Sequence, residues 1–337
     1  MDITKLVLLL FVLFLLLKSF SSSTYGDDDG LLALDYYKRT CPVAEEIVMY
    51  NVEFAVLKNP RMAASLLRLH FHDCFVMGCD ASVLLDSYGG VRSEKEAEPN
   101  LNSLHGFEVI DKIKFALEEA CPLTISCADI LAIAARDAVA LRGGPRWEVK
   151  LGRKDSLQAS FDGANKFIPS PNSSLDTLIL NFRDQGLGIQ DLVALSGSHT
   201  MGKARCSSIK QRIDDLNIYE KYDKYKRYTT FRKILRSICD ESSRKNDKIT
   251  VPLDFTTPAR FDNHYYLNLL EGRGLLRSDN VLIAENYEEI ANQVWDFASD
   301  QDVFFASFVK SMIKMGNINV LTGNDGEIRK NCRFVNL

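Results

Sequence analysis

A mostly α fold is what the sequence predicts, on two observations. Apolar residues recur at three- and four-residue spacing in several long stretches, most of which begin at capping residues and end at glycines. Strand-like alternation is scarce, and WEVKLGR at 147–153 is its best case.

The elements follow in chain order. Lys5, the unbroken apolar run at 6–17, Lys18 and the small polar stretch SFSSSTYG read as a secretory signal peptide over residues 1–25. The apolar run is short for a membrane span, and no later run approaches its length. Residues 26–337 are long enough for one large domain or two of ordinary size. Asn59-Pro60 predicts a helix start that runs on through Leu67 and into RLHFHDC. Ser126 with Asp129 resembles a capping box opening CADILAIAARDAVALR, which ends at Gly143-Gly144-Pro145. Ser174 to Asp184 ends at Gly186, and the apolar run before Ser196-Gly197 predicts a buried helix ending near His199. Thr257-Pro258 predicts another helix, through ARFDNHYYLNLL to Gly272 and Gly274. DVFFASFVKSMIKMGNI closes the set.

Eight cysteines, at 41, 74, 79, 121, 127, 206, 239 and 332, all follow the signal segment. They fit an oxidising compartment and up to four disulfides, of which only Cys74 and Cys79 are close enough to suggest a local loop. The formal charge is −4, and −5 without Asp2, Lys5 and Lys18. A mildly acidic chain with no basic block argues against nucleic acid as a partner.

Five histidines are present, two of them in RLHFHDC at 68–74. On a helix Arg68 and His72 are four residues apart and share a face, about 6 Å apart along the axis, while His70 lies about 200° round. This spacing does not give the two-histidine face that zinc prefers, which argues against a zinc hydrolase built on His70, His72 and Asp73. Arg68 with His72 instead suits proton transfer beside a developing anion. The segment that follows offers the Asp73, Asp80 and Ser82 side chains and the Val76 and Gly78 carbonyls, an oxygen set suited to Ca²⁺ or to a disulfide-tied polar turn. His199 reads either as a core histidine or as an axial ligand to haem iron. Thr200 beside it and Asp254, Thr257 and Asp262 later offer a second oxygen cluster.

With RLHFHDCFVMGCDASVLL, LVALSGSHTMG and DFTTPARFDN in that order, the chain resembles the plant secretory (class III) haem peroxidases. YYKRTCP, SCADILA, LGRKDS, GLLRSD and MGNI extend the resemblance from about Leu34 to Cys332. It implies the haem-peroxidase fold, with distal and proximal halves sandwiching one haem b, two Ca²⁺ ions, a monomer, and hydrogen peroxide with small phenolic reductants as substrates. His199 would be the axial ligand with Asp279 on its other nitrogen. His72 would be the distal acid/base, Arg68 its cationic partner and transition-state stabiliser, and Asn100 the acceptor for the far nitrogen of His72. The distal calcium would take Asp73, Val76, Gly78, Asp80, Ser82 and, through water, Glu94. The proximal one would take Thr200, Asp254, Thr257, the Arg260 carbonyl and Asp262. The implied disulfides are Cys41–Cys121, Cys74–Cys79, Cys127–Cys332 and Cys206–Cys239, and Asp129 with Arg153 matches a buried ion pair.

The implied reaction is heterolytic cleavage of peroxide at ferric haem, then two one-electron oxidations of phenolic donors, in lignin, suberin or other cell-wall cross-linking. Donors would approach near Ile168 and Pro169. Glu98, Asn172 and Ser208 stand where some members carry phenylalanines, so this edge has fewer aromatic rings. Asn172 starts the only N-x-S/T sequon, a candidate glycan at that entrance. The short tail after Cys332 points to the cell wall rather than the vacuole. The contrary reading, an inactive haem-poor wall scaffold, would be signalled by loss of Arg68, His72 or His199, and all three are present.

Overall fold

The computed structural model describes residues 32–214, 227–239, 249–284 and 287–336; the signal segment lies outside them. Its helices, in chain order, are α1 (Ala44–Lys58), α2 (Met62–Cys74), α3 (Phe107–Ala120), α4 (Cys127–Leu141), α5 (Phe161–Phe167), α6 (Leu175–Asp184), α7 (Ile189–Ser196), α8 (Lys210–Asp214), α9 (Arg227–Ile238), α10 (His264–Leu270), α11 (Arg277–Ala284), α12 (Glu288–Ser299) and α13 (Gln301–Met315). Two short strands, β1 (Lys203–Arg205) and β2 (Thr250–Pro252), pair antiparallel with Lys203 opposite Pro252. The predicted mostly α fold is what forms.

α4 is buried without interruption from Cys127 to Val139, because its sequence is apolar on nearly every face. It is the post against which α1 and α2 pack, and α3 closes that half. In the other half α13 packs on α7 and α12, and α10 lies between α12 and the turn after α7. The two halves are tied where α13 ends: Ile318 accepts a hydrogen bond from the Cys79 amide, and Gly316 accepts from Arg153 Nε and Nη2 at 3.0 and 2.6 Å. Gly78 has φ +122°, and a Cβ there would fall 2.5 Å from the Asn319 carbonyl, so only glycine allows this contact. All four disulfides form with the implied pairing.

Three expectations change. Asn59 does not cap α2: its amide closes α1, its side chain accepts from the Arg61 amide at 3.2 Å, and α2 starts at Met62 after a turn through Pro60. The helix expected from Thr257-Pro258 starts only at His264. Asp254 takes the amides of Thr256 and Thr257, and Asp262 takes that of His264, so side-chain acceptors replace the helical carbonyls. WEVKLGR contributes only an isolated bridge between Leu151 and Ala33, because the Gly152 and Arg153 amides turn to Asp129.

The capping box at α4 is half formed. Ser126 Oγ accepts from the Asp129 amide at 3.1 Å, but the Asp129 carboxylate points away. Asp155 instead receives the Cys127 and Ala128 amides at 3.1 and 2.9 Å, placing a negative charge at the helix N-terminus. Asp129 accepts from Arg153 Nη1 at 2.8 Å, from the Tyr37 hydroxyl at 2.7 Å and from the Gly152 amide at 2.7 Å. Both ions of the pair are buried, so removing one partner strands the other charge. Asp129→Ala should therefore cost about 3–5 kcal/mol in a urea titration; a loss below 1 kcal/mol would show that Arg153 is not held by this carboxylate.

Candidate active site

On the distal side, Arg68 and His72 lie one turn apart on α2 as the spacing requires. His72 is buried, and its Nδ1 lies 2.6 Å from Asn100 Oδ1. Asn100 Nδ2 donates to the Glu94 carbonyl at 2.8 Å, which fixes the amide with its oxygen toward the ring. His72 therefore carries its proton on Nδ1 and presents Nε2 as a base. Burial, then the Arg68 charge, holds its pKa well below the ordinary histidine value, so the ring is neutral. Arg68 is anchored to the loop that carries Asn100, donating to the Ser103 and Pro99 carbonyls, both at 3.0 Å.

His70 is the packed histidine. It is buried beside Cys74 Sγ, 3.6 Å from Nδ1, and burial with the Arg153 charge lowers its pKa to about 3. His70, Cys74 and Cys79 bring potential ligand atoms within 4.8 Å, but the two sulfurs are joined and offer no thiolate.

On the proximal side, α7 ends in the tight turn Gly197–Thr200 that carries His199. A Cβ at Gly197 would fall 2.4 Å from the Tyr266 hydroxyl and 2.5 Å from Phe304, so glycine lets this turn press against α10 and α13. His199 Nδ1 lies 2.7 Å from Asp279 Oδ1, and Leu276 donates its amide to Asp279 Oδ2 at 2.8 Å. The His199 side chain keeps 37 % of its surface open against 3 % for Asp279. A ring nitrogen held from behind and open in front fits an axial ligand to haem iron. The halves touch here too, since a Cβ on Gly202 would lie 3.2 Å from Ala64 of α2.

One feature escaped sequence reasoning. Arg61 and Arg205 come close enough to Arg68 to help burial lower its pKa to about 10. Added positive charge around Arg68 suits an anionic group, such as the carboxylates haem bears. Arg61 and Arg205 lie 144 positions apart in sequence and belong to no shared motif, so only the fold brings them together.

Both oxygen clusters assemble. Asp73, Asp80, Ser82 and Glu94 are buried together, and Ser82 Oγ and Glu94 Oε2 have no hydrogen-bond partner. Burial raises the pKa of all three carboxyls, Glu94 to about 8, and mutual repulsion adds to the shift. Buried, mutually repelling carboxylates with orphaned oxygens suit a hard divalent cation. In the second cluster the Thr200 and Thr257 hydroxyls donate to Asp254 and Asp262 at 3.0–3.4 Å, and Asp262 Oδ2 accepts no hydrogen bond, with only Arg260 Nε near it at 3.8 Å. The Arg260 guanidinium, a cation with no acceptor, cannot ligate a metal ion, so only its carbonyl is a candidate ligand there.

The donor segment is less direct. Ile168 buries its side chain against Val76, Ala97 and Ala164, whereas Pro169 is half-buried. The Pro171 carbonyl accepts from Ser278, next to Asp279, and so joins this segment to the proximal half. Asn172 is half-buried, with its amide on Ser170 Oγ.

Comparison with known proteins gives the family. The profile described as Peroxidase matches residues 48–300. Among similar proteins of Arabidopsis thaliana, Peroxidase 20 is 65 % identical over 326 residues, covering 96 % of each chain. Peroxidase 9 is 53 % identical over 89 % of this chain and 86 % of its own length. Peroxidase 72 is 51 % identical over 94 % and 92 %. Matched across three-quarters of its length by the family profile and along almost its whole length by these relatives, the chain belongs to the plant secretory class of haem peroxidases.

Proposed function

We propose that this peroxidase reduces hydrogen peroxide with His72 as acid/base and Arg68 as charge stabiliser, on one haem b held by His199, and oxidises small phenolic donors at the cell wall. The observation that carries the assignment is that each histidine has Nδ1 tied to its own acceptor, Asn100 or Asp279, which leaves Nε2 of each as the nitrogen for chemistry.

Bound haem supplies the redox chemistry, delivering two electrons to peroxide and recovering them one at a time from two donor molecules. His72 Nε2 takes a proton from one peroxide oxygen and returns it to the other, which leaves as water. Asn100 keeps the ring in the tautomer that makes this return possible. The Arg68 guanidinium stabilises negative charge on the departing oxygen. Asp279 draws the His199 Nδ1 proton toward itself, making Nε2 a stronger donor to the iron. Asp73, Asp80, Ser82 and Glu94, with the Val76 and Gly78 carbonyls, would hold one calcium; Thr200, Asp254, Thr257, Asp262 and the Arg260 carbonyl would hold another. Glu94 belongs to the first set while its carbonyl orients Asn100, so one residue would link that ion's site to His72. Donors approach by Pro169, with Ile168 packed behind it and a glycan on Asn172 bordering the opening. The protein acts as a secreted monomer; four disulfides support that route, and no helix among the described residues is long and apolar enough to cross a membrane.

The two histidines separate by substitution. His72→Leu should keep the haem yet slow peroxide cleavage about 10²–10⁴-fold in stopped flow, and unchanged kinetics would remove His72 from the mechanism. His199→Ala should change the axial ligation of the iron; an unaltered absorption spectrum would mean another ligand. Chelation should release two calcium ions per chain and lower the thermal midpoint, with about 2.7 kcal/mol at stake for a site held at a hundred times its dissociation constant. Equal midpoints in chelator and calcium would show that the carboxylates are satisfied without a cation. Peptide mapping of the secreted protein should find Asn172 glycosylated; a bare asparagine would end that assignment.

A further inference from the structure

Three donors converge on the Asp279 carboxylate. His199 Nδ1 and the Tyr265 hydroxyl both meet Oδ1, at 2.7 and 3.1 Å, and the Leu276 amide meets Oδ2 at 2.8 Å. Tyr265 is buried, and its ring stands edge-on to His199 at 6.1 Å between centroids. The adjacent Tyr266 is equally buried but donates to the Val193 carbonyl at 2.9 Å instead. A hydrogen bond donated to a carboxylate oxygen withdraws electron density from it and lowers its basicity. The Tyr265 hydroxyl thus competes with the imidazole for the same oxygen.

From this geometry we infer that Tyr265 is a positioning residue that sets how strongly Asp279 draws the His199 proton, and through it how strongly His199 donates to the iron. Without such a competitor the carboxylate pulls the Nδ1 proton further, the ring gains imidazolate character, and ferric iron is stabilised over ferrous. With it the pull on the Nδ1 proton is weaker. The hydroxyl therefore limits the donor strength that Asp279 alone would confer. This inference rests on His199 being the axial ligand.

The test is a resonance Raman spectrum of the ferrous holoenzyme and a spectroelectrochemical titration of the ferric/ferrous couple, for wild type, Tyr265→Phe and Tyr266→Phe. Each variant removes one buried hydroxyl, so both should lose thermal stability. Only Tyr265→Phe should raise the iron–histidine stretching frequency and shift the midpoint potential negative; Tyr266→Phe should leave both at the wild-type values. An unchanged or lowered frequency in Tyr265→Phe, or an equal shift in Tyr266→Phe, would overturn the inference. His199→Ala keeps the two assignments apart. Persistence of the iron–histidine band in that variant would refute His199 as ligand, whereas its loss beside a silent Tyr265→Phe would refute the tuning role alone.

Discussion

Burial of the three carboxyls Asp73, Asp80 and Glu94 in one pocket is the constraint on which the distal half depends. Such groups repel one another and lose solvation together, and their raised pKa values record that cost. The chain meets it by building a loop around them: the Ala81 and Val83 amides turn to Asp73, the Ser82 amide to Asp80 and the Ser160 amide to Glu94. Arg329, fully buried, holds the Ala81 carbonyl and contributes positive charge near Asp80. The Ser82 and Glu94 oxygens left without hydrogen bonds are the donor atoms a divalent cation would use to complete the balance. Neutralising this pocket fixes the loop, and the loop carries the Glu94 carbonyl that orients Asn100 and, through it, His72.

The proximal side uses the same logic in reverse. Its anion, Asp279, is not balanced by an ion but shared among three hydrogen-bond donors of different strength. Each histidine is thus controlled from its Nδ1 side by a group whose own partners are fixed, leaving Nε2 for chemistry. Preorganisation of this kind needs a stiff scaffold. Here α4, buried along its length, and the end of α13, hydrogen-bonded across to the Cys79 amide and Arg153, provide it. The disulfide between Cys127 and Cys332 ties the start of α4 to the carboxy-terminal strap that carries Arg329.

Legibility from sequence followed the range of the interaction. Arg68 and His72 lie one turn apart because a helix fixes the relation of residues four apart, and the same rule places His70 elsewhere on it. Local signals set the limits of α4 and α6, where a serine cap and a glycine stop act on the nearest turn. The reading slipped where a side chain outcompeted the backbone: Asp254 and Asp262 took the amides that a helix from Thr257 would have needed, and Asn59 closed one helix instead of opening the next.

The sequence by itself determined the α class and the family and nominated the candidate reactive side chains, since those rest on residue type, short spacings and the order of motifs. The tertiary structure alone decided which tyrosine of the pair at 265–266 reaches Asp279, how Arg61 and Arg205 come to crowd Arg68, and that the Asp155 carboxylate caps α4. Each of these joins residues far apart in the chain, or depends on which way a short helix is rolled. No local pattern records such contacts, because they exist only once buried charges and donors have found partners across the fold.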